Sequence, residues 1–344
     1  MSTASTSAPP SAVTDKPQLL HFRTPSECRD WIVPEDQLLV GDQHIVRGNV
    51  TVIGGPPGVG KSRAALALAL AGATGQDWFG LKVHTKFKTV ILQAENGPYR
   101  LKQEWEATNT VSLDEWILIS EPPLLGMAFD KPEFVHELVQ RLKEFQPAVI
   151  VLDPWNSFVS DDKQKDYREG FSRIRDAIAR AAIEVALVIV AHTRKPGKDL
   201  KPSGRELLHE LCGSLVLGSI PRCVFVMQPA SSDTQDERVK WSCPKNNDGK
   251  LGADSVWWRR NGTFEPCTGL DAVQPTSEVR RKITRADLER VFEGGGGSLP
   301  RKEAAEKLME HTGLGKSACY AALEPDGKFK WQLKEVNGVL EWFG

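Results

Sequence analysis

Residues 55–62 read Gly55-Pro56-Pro57-Gly58-Val59-Gly60-Lys61-Ser62, and they constrain the fold more than any other stretch of the chain. An apolar run, Val50-Thr51-Val52-Ile53, leads in, and an alanine- and leucine-rich helical stretch over residues 61 to about 73 leads out. Glycines here let backbone N–H groups converge on an anion, and a helix starting at Lys61 brings its positive dipole end to the same point. The spacing GxxxxGK[ST] between a strand and a helix is that of a phosphate-binding loop, or P-loop. Gly55, Pro56, Pro57, Gly58, Val59, Gly60, Lys61, Ser62 and Arg63 are therefore the candidate ATP contacts. Lys61 is placed to reach the β and γ phosphates, and the Ser62 hydroxyl to ligate Mg²⁺. The similar tail Gly313-Leu314-Gly315-Lys316-Ser317 has Glu310 where the first glycine belongs, and no apolar strand precedes it. Gly313 there reads as a turn glycine, with no second nucleotide site.

Short runs rich in Val, Ile and Leu, without polar alternation, recur at 89–93, 148–152, 185–191 and 223–227. Helical patterns over 131–145 and 168–182 fall between them. Such strands belong to a mostly parallel sheet covered on both faces, so residues 18–267 read as an α/β nucleotide-binding domain. Residues 239–243 and 256–260 read as antiparallel strands, and Asn261-Gly262 is a hairpin turn signal. The polar, proline-containing residues 1–17 are expected to be a disordered tail, and 268–280, which include Pro275, a linker.

The remaining residues, 281–344, read as a separate module. Helices are expected at 284–292, at 300–311 with Pro300 in the first turn, and at 316–323. A hairpin around Asn337-Gly338 follows, with Trp331, Leu333, Leu340 and Trp342 alternating with polar residues. Three helices and a hairpin is the order of a winged helix-turn-helix, whose third helix enters the DNA major groove. Lys316 and Tyr320 are its candidate DNA contacts, with Ser317, Lys328 and Lys330 near them; the alternative is a module that binds protein or caps the core.

Composition narrows the classes. The 344 residues hold 44 Lys+Arg against 45 Asp+Glu, a net charge of −1, so any nucleic-acid affinity must come from local patches. Cys28, Cys212, Cys223, Cys243, Cys267 and Cys319 are widely spaced, which argues for reduced thiols and against zinc or a disulfide framework. No run approaches the ~18 apolar residues of a membrane span, and the N-terminal residues lack a basic-then-apolar signal pattern. The expectation is a soluble cytoplasmic protein.

Hydrolysis needs more than phosphate binding. Asp153 ends the apolar run at 148–152, where it can hold Mg²⁺ opposite Ser62. Pro154 follows it, so a catalytic base must come from elsewhere. Glu95, just beyond the run at 89–93, lies at the strand edge where parallel sheets bind ligands and can orient the attacking water. His192, after the run at 185–191, lies on the same edge and can sense the γ-phosphate. A structural role for either side chain is the alternative.

In combination these stretches resemble the RecA-like hexameric ATPases of the RepA replicative-helicase type, within the RecA/DnaB/KaiC group of AAA-family P-loop ATPases. The likeness rests on residues 54–62, Gly75-Gln76-Asp77-Trp78-Phe79-Gly80, Gln93-Ala94-Glu95-Asn96 and Leu152-Asp153-Pro154. Ala191-His192-Thr193-Arg194-Lys195, then Gly213-Ser214 and Pro221-Arg222, complete it, over about residues 20–265. The resemblance implies a homo-oligomeric ring, favouring a hexamer, with active sites at subunit boundaries. It makes Glu95 the catalytic glutamate, His192 the sensor, and Arg222 and Lys245 the residues that complete a neighbour's site in trans. One departure stands out: Asn247 occupies a position where several relatives carry arginine.

Two loops would face the ring's channel, at about 155–166 and 194–205. The second carries Lys195, Lys198, Lys201 and Arg205, suited to the backbone of single-stranded DNA or simply to solvent. Trp155 and Phe158 suit base stacking or core packing. The leading expectation is a Mg·ATP-driven helicase or translocase in plasmid, phage or mobile-element replication. Its rival is an ATP-switched DNA-binding or regulatory protein with slow or no turnover.

Overall fold

The computed structural model describes residues 22–106, 110–159, 163–194, 202–211, 216–231, 233, 235–260, 262–268, 283–293, 297–314, 316–336 and 338–343. The expected tail, nearly all of the expected linker, and Lys195, Lys198 and Lys201 lie outside the described residues.

A short helix, α1 (Pro25–Asp30), begins with a capping box between Thr24 and Glu27. A small antiparallel pair, β1 (Leu38–Val40) and β2 (Ile45–Val46), follows. Then strands and helices alternate: β3 (Val50–Gly55), α2 (Lys61–Thr74), β4 (Thr89–Gln93), α3 (Pro98–Trp105) and β5 (Ile117–Ile119). The alternation continues through α4 (Pro132–Phe145), β6 (Val149–Asp153), α5 (Gln164–Ala181), β7 (Ala186–His192), α6 (Val216–Ser219) and β8 (Cys223–Pro229). A meander of β9 (Arg238–Asn246), β10 (Ser255–Arg260) and β11 (Thr263–Pro266) completes a nine-stranded sheet.

The sheet order is β11-β10-β9-β8-β3-β7-β6-β4-β5. From β5 across to β8 all pairs are parallel; β9, β10 and β11 add antiparallel. This is the mixed α/β, mostly parallel core expected of a RecA-like P-loop domain.

The apolar runs lack alternation because both faces are covered. Ile53, Val151, Val188 and Val190 pack with Ala64, Ala65, Leu68 and Ala69 of α2 on one face. Val52, Ile150, Leu152, Leu187 and Ile189 pack with Leu138 and Leu142 of α4 and with Phe171 and Ile174 of α5 on the other. Trp155 and Phe158, in a 3₁₀ turn after β6, are buried in this second cluster, so they serve as core and not as base-stacking platforms. Trp155 packs against Phe171, ring centroids 4.6 Å apart.

In the C-terminal part lie α7 (Arg285–Glu293), β12 (Ser298–Pro300), α8 (Arg301–Thr312), α9 (Lys316–Ala322), β13 (Leu333–Val336) and β14 (Val339–Trp342). The strands form an antiparallel sheet ordered β12-β14-β13. Leu288, Phe292, Leu299, Leu308, Leu323, Leu333 and Leu340 make its own apolar cluster. Two details differ from the sequence expectation. Trp331 precedes β13 in a turn and is 81% exposed, so only Leu333 and Leu340 of that pattern are buried. Pro300 ends β12 and caps α8 from outside, because its ring suits the extended backbone that pairs with Val339.

The cysteine spacing also hides a contact. Cys223 and Cys243 lie on adjacent strands, their sulfurs 3.9 Å apart as buried thiols.

Helix α2 meets the segment before β4 at Gly72, where an added Cβ would lie 2.2 Å from Cε2 of the buried Phe87 ring. Gly72→Ala improves helix propensity yet forces that ring aside, and overpacking of this kind costs about 1–3 kcal/mol. We expect a lowered midpoint in thermal or urea unfolding, with Phe87→Leu in the same chain restoring part of it.

Candidate functional site

Register brings the chemistry together. Gly55 at the end of β3 pairs with His192 at the end of β7, and Gln93 at the end of β4 pairs with Asp153 at the end of β6. Four strand ends thus meet on the carboxyl edge of the sheet, the edge at which open α/β folds bind ligands.

The loop from Gly55 to Gly60 connects β3 to α2. Gly60, at φ 108°, is the N-cap of α2, and no side chain caps the helix. No acidic residue occupies its first turn either, so its leading N–H groups and positive dipole end face the loop. Val59 is buried and anchors the loop, while Pro57, Gly58 and Ser62 are exposed. Arg63 is half-buried in the first turn of α2.

Lys61 is 6% exposed. Its Nζ donates to the Pro56 carbonyl at 2.9 Å and lies 3.3 Å from Nδ1 of His192. Burial, then the Lys61 charge, push the His192 pKa down against the opposing pull of Glu95. A neutral ring leaves Nδ1 free to accept from the lysine, which can only donate.

Asp153 is buried, and the Ser62 hydroxyl donates to its carboxylate. Its pKa is pushed up to about 6, first by burial and also by the Glu95 charge, against Ser62 and Lys61. A hydroxyl and a carboxylate in contact are hard oxygen donors, the set from which Mg²⁺ takes one or two protein ligands while phosphates and water supply the rest. Among the described residues no group of three or more His, Cys, Asp or Glu side chains could hold a metal by itself. The residues fit Mg²⁺ bound together with a phosphate, not a metal caged by protein alone.

Glu95 is exposed at this edge, in the turn after β4. Sequence reasoning passed over what holds it. The buried Gln93 side chain donates to the carbonyls of Asn96 (2.7 Å) and Ser120 (2.8 Å). Its Oε1 accepts from the backbone N–H groups of Glu95 (3.2 Å) and Asn96 (2.6 Å). A further bond, Ala94 N–H to the Asp153 carbonyl at 3.1 Å, ties this turn to β6. The sequence signal was a polar residue ending an otherwise apolar strand.

A second residue missed from sequence is Arg259 of β10, whose Nη1 donates to the Gly58 carbonyl at 2.6 Å. No motif marks it.

The other predicted residues lie elsewhere. Arg222 precedes β8, and its N–H bonds the carbonyl of Val50, the first residue of β3, at the end of that strand remote from Gly55. Its guanidinium grips Asp248 through both Nε (3.0 Å) and Nη2, which raises its pKa. Lys245 donates to the Gly218 carbonyl at 2.8 Å, and Asn247 N–H to the Arg222 carbonyl at 2.9 Å. The chain does not bring this group to its own P-loop. Arg205 is exposed in a 3₁₀ turn, Gly204–Glu210. On α9, the Lys316 ammonium sits 5.7 Å from the Tyr320 ring centroid.

This fold and this edge define a P-loop nucleotide-binding ATPase. The chain belongs to the AAA domain family, whose sequence pattern matches residues 7–198, more than half its length. Among solved structures it is similar to a KaiC-like protein of the hyperthermophilic archaeon Pyrococcus horikoshii OT3, at 14% identity and a TM-score of 0.47, covering 68% of this chain and 97% of that one. A RadB recombinase is similar at 13% identity and a TM-score of 0.43, covering 65% and 93%. No curated protein matches the sequence. No described helix is long and apolar enough to cross a membrane.

Replacing Gln93 by leucine keeps the volume of the buried side chain and strands the amides it serves. Leaving such groups unpaired costs about 1–3 kcal/mol. Gln93→Leu is expected to lower the unfolding free energy by that amount, while Gln93→Glu recovers the two bonds accepted by Oε1.

Proposed function

We propose that the protein is a Mg·ATP-hydrolysing motor on DNA, a helicase or translocase of the RepA type that works as a ring, with a hexamer favoured. The convergence of Lys61, Ser62, Asp153, Glu95 and His192 on one sheet edge carries this reading. Lys61 and the leading N–H groups of α2 bind the triphosphate. Ser62 and Asp153 would hold Mg²⁺, which when bound supplies positive charge against the phosphate oxygens. Glu95, held by the Gln93 brace, orients the attacking water and accepts its proton. His192, neutral and against Lys61, registers whether the lysine is engaged with a phosphate. Arg222 completes the site of a neighbouring copy, stabilising charge on the transferred group. DNA contacts come from the loop carrying Lys195, Lys198, Lys201 and Arg205. The three helices and small sheet at the C-terminus follow winged-helix order, which supports duplex contact through Lys316 and Tyr320.

Two observations favour a second reading, an ATP-switched regulator with slow turnover. Arg222 is held within its own chain by Asp248, and Asn247 stands where a second arginine would help.

Steady-state ATP hydrolysis with and without single-stranded DNA separates the two. A motor should be stimulated about tenfold or more, a barrier change of about 1.4 kcal/mol. Lys61→Ala should abolish binding, and Glu95→Gln should slow turnover by about 100-fold or more with binding retained. Arg222→Ala should cost about 1,000-fold if it acts on the neighbour's phosphate. Tight ATP binding with negligible, DNA-insensitive turnover selects the switch.

A further inference from the structure

Resting on the nucleotide-binding reading above, we propose that Arg259 is a positioning residue of the phosphate cradle, carried to the P-loop by the β10–β11 hairpin from outside the family-matched residues 7–198. Its Nη1 donates to the Gly58 carbonyl at 2.6 Å. Its Cδ lies 3.2 Å, and Phe264 Cζ 3.5 Å, from where a Cβ on Gly60 would stand, so the hairpin packs against the end of the loop at which α2 begins.

The hairpin is fixed from behind. Arg259 pairs with Phe264 in register, and Phe264 lies 4.8 Å from Phe79 between ring centroids. Phe79 in turn stacks on Trp241 at 4.2 Å and meets Trp257 at 5.0 Å. An arginine held by such a cluster is delivered to one place.

The bond to Gly58 has a directional consequence. A trans peptide points its C=O and N–H in opposite directions, so holding the Gly58 carbonyl toward Arg259 turns the Val59 N–H toward the loop interior. There the Val59 N–H donates to the Pro56 carbonyl at 3.5 Å, the same oxygen that receives Lys61 Nζ. Arg259 therefore orients an amide to the side on which Lys61 lies, where an incoming phosphate would take both donors over from the Pro56 carbonyl.

Charge points the same way. The neighbouring cations of this meander are engaged: Arg238 with Asp236, Lys240 with Asp254, and Arg260 over the Trp258 ring at 4.0 Å. Among the described residues Arg259 pairs with no carboxylate, and its guanidinium has donors beyond the one used on Gly58. A cation fixed over a P-loop without an acidic partner complements the polyphosphate of a nucleoside di- or triphosphate.

The test measures binding of a fluorescent ATP analogue, and its displacement by inorganic tripolyphosphate, for the native chain and for Arg259→Ala, Arg259→Gln, Arg259→Lys and Lys61→Ala. Arg259→Ala and Arg259→Gln are expected to weaken both ligands about tenfold or more, with the apoprotein melting temperature unchanged. Arg259→Lys, which keeps a charged donor for Gly58, should recover most of the loss. Should the alanine variant not fold, the glutamine variant carries the same comparison. If both bind ATP and tripolyphosphate within about twofold of native while Lys61→Ala loses them, Arg259 has no such role and the nucleotide site stands. A loss for ATP but not for tripolyphosphate also overturns the assignment to phosphate. If the native chain binds neither ligand, the nucleotide reading falls and this inference with it.

Discussion

Parallel pairing of β3 with β7 and of β4 with β6 is the constraint on which the site depends. It sets Gly55 level with His192 and Gln93 level with Asp153, so a loop, a histidine, a brace and a carboxylate arrive at one edge although the sequence scatters them. The strands are buried on both faces, and a slip of one residue would exchange the two apolar sets packed against α2 and against α4 and α5. Packing thus locks the register, and the register locks the chemistry.

The edge so formed is electrostatically mixed. Lys61 pulls the Asp153 and His192 pKa values down while Glu95 pushes both up, and burial drives Asp153 up and His192 down. Both groups are therefore moved toward their neutral forms without a ligand. Bringing a cation beside Asp153 and an anion beside Lys61 relieves these penalties together, since each new charge meets a group of opposite sign.

Much of this was legible in the residues. The unbroken apolar runs announced β3, β4, β6, β7 and β8, and the strand-loop-helix context of Gly55 to Ser62 announced the P-loop. Short elements such as α3, β5 and β12 escaped because three to eight residues carry too little periodicity to read. Gln93 and Arg259 escaped for another reason: each acts through backbone groups that are brought to it only by the folded sheet or the returning hairpin. Trp331 was misplaced because an aromatic beside a strand pattern looks like part of it, although the turn that starts β13 leaves its ring in solvent.

The position of β8 carries a consequence for where this molecule can be cut. β3, the strand that presents the P-loop, lies between β7 and β8, and residues 51–54 pair with residues 223–226. The family-matched stretch stops at residue 198, so a fragment trimmed to it would turn a central strand into a raw edge and remove Val224, Phe225 and Val226 from the two cores. Such an edge invites pairing with other chains. The recognisable pattern is thus shorter than the cooperative unit, which has to run on through the antiparallel meander before the P-loop has neighbours on both sides.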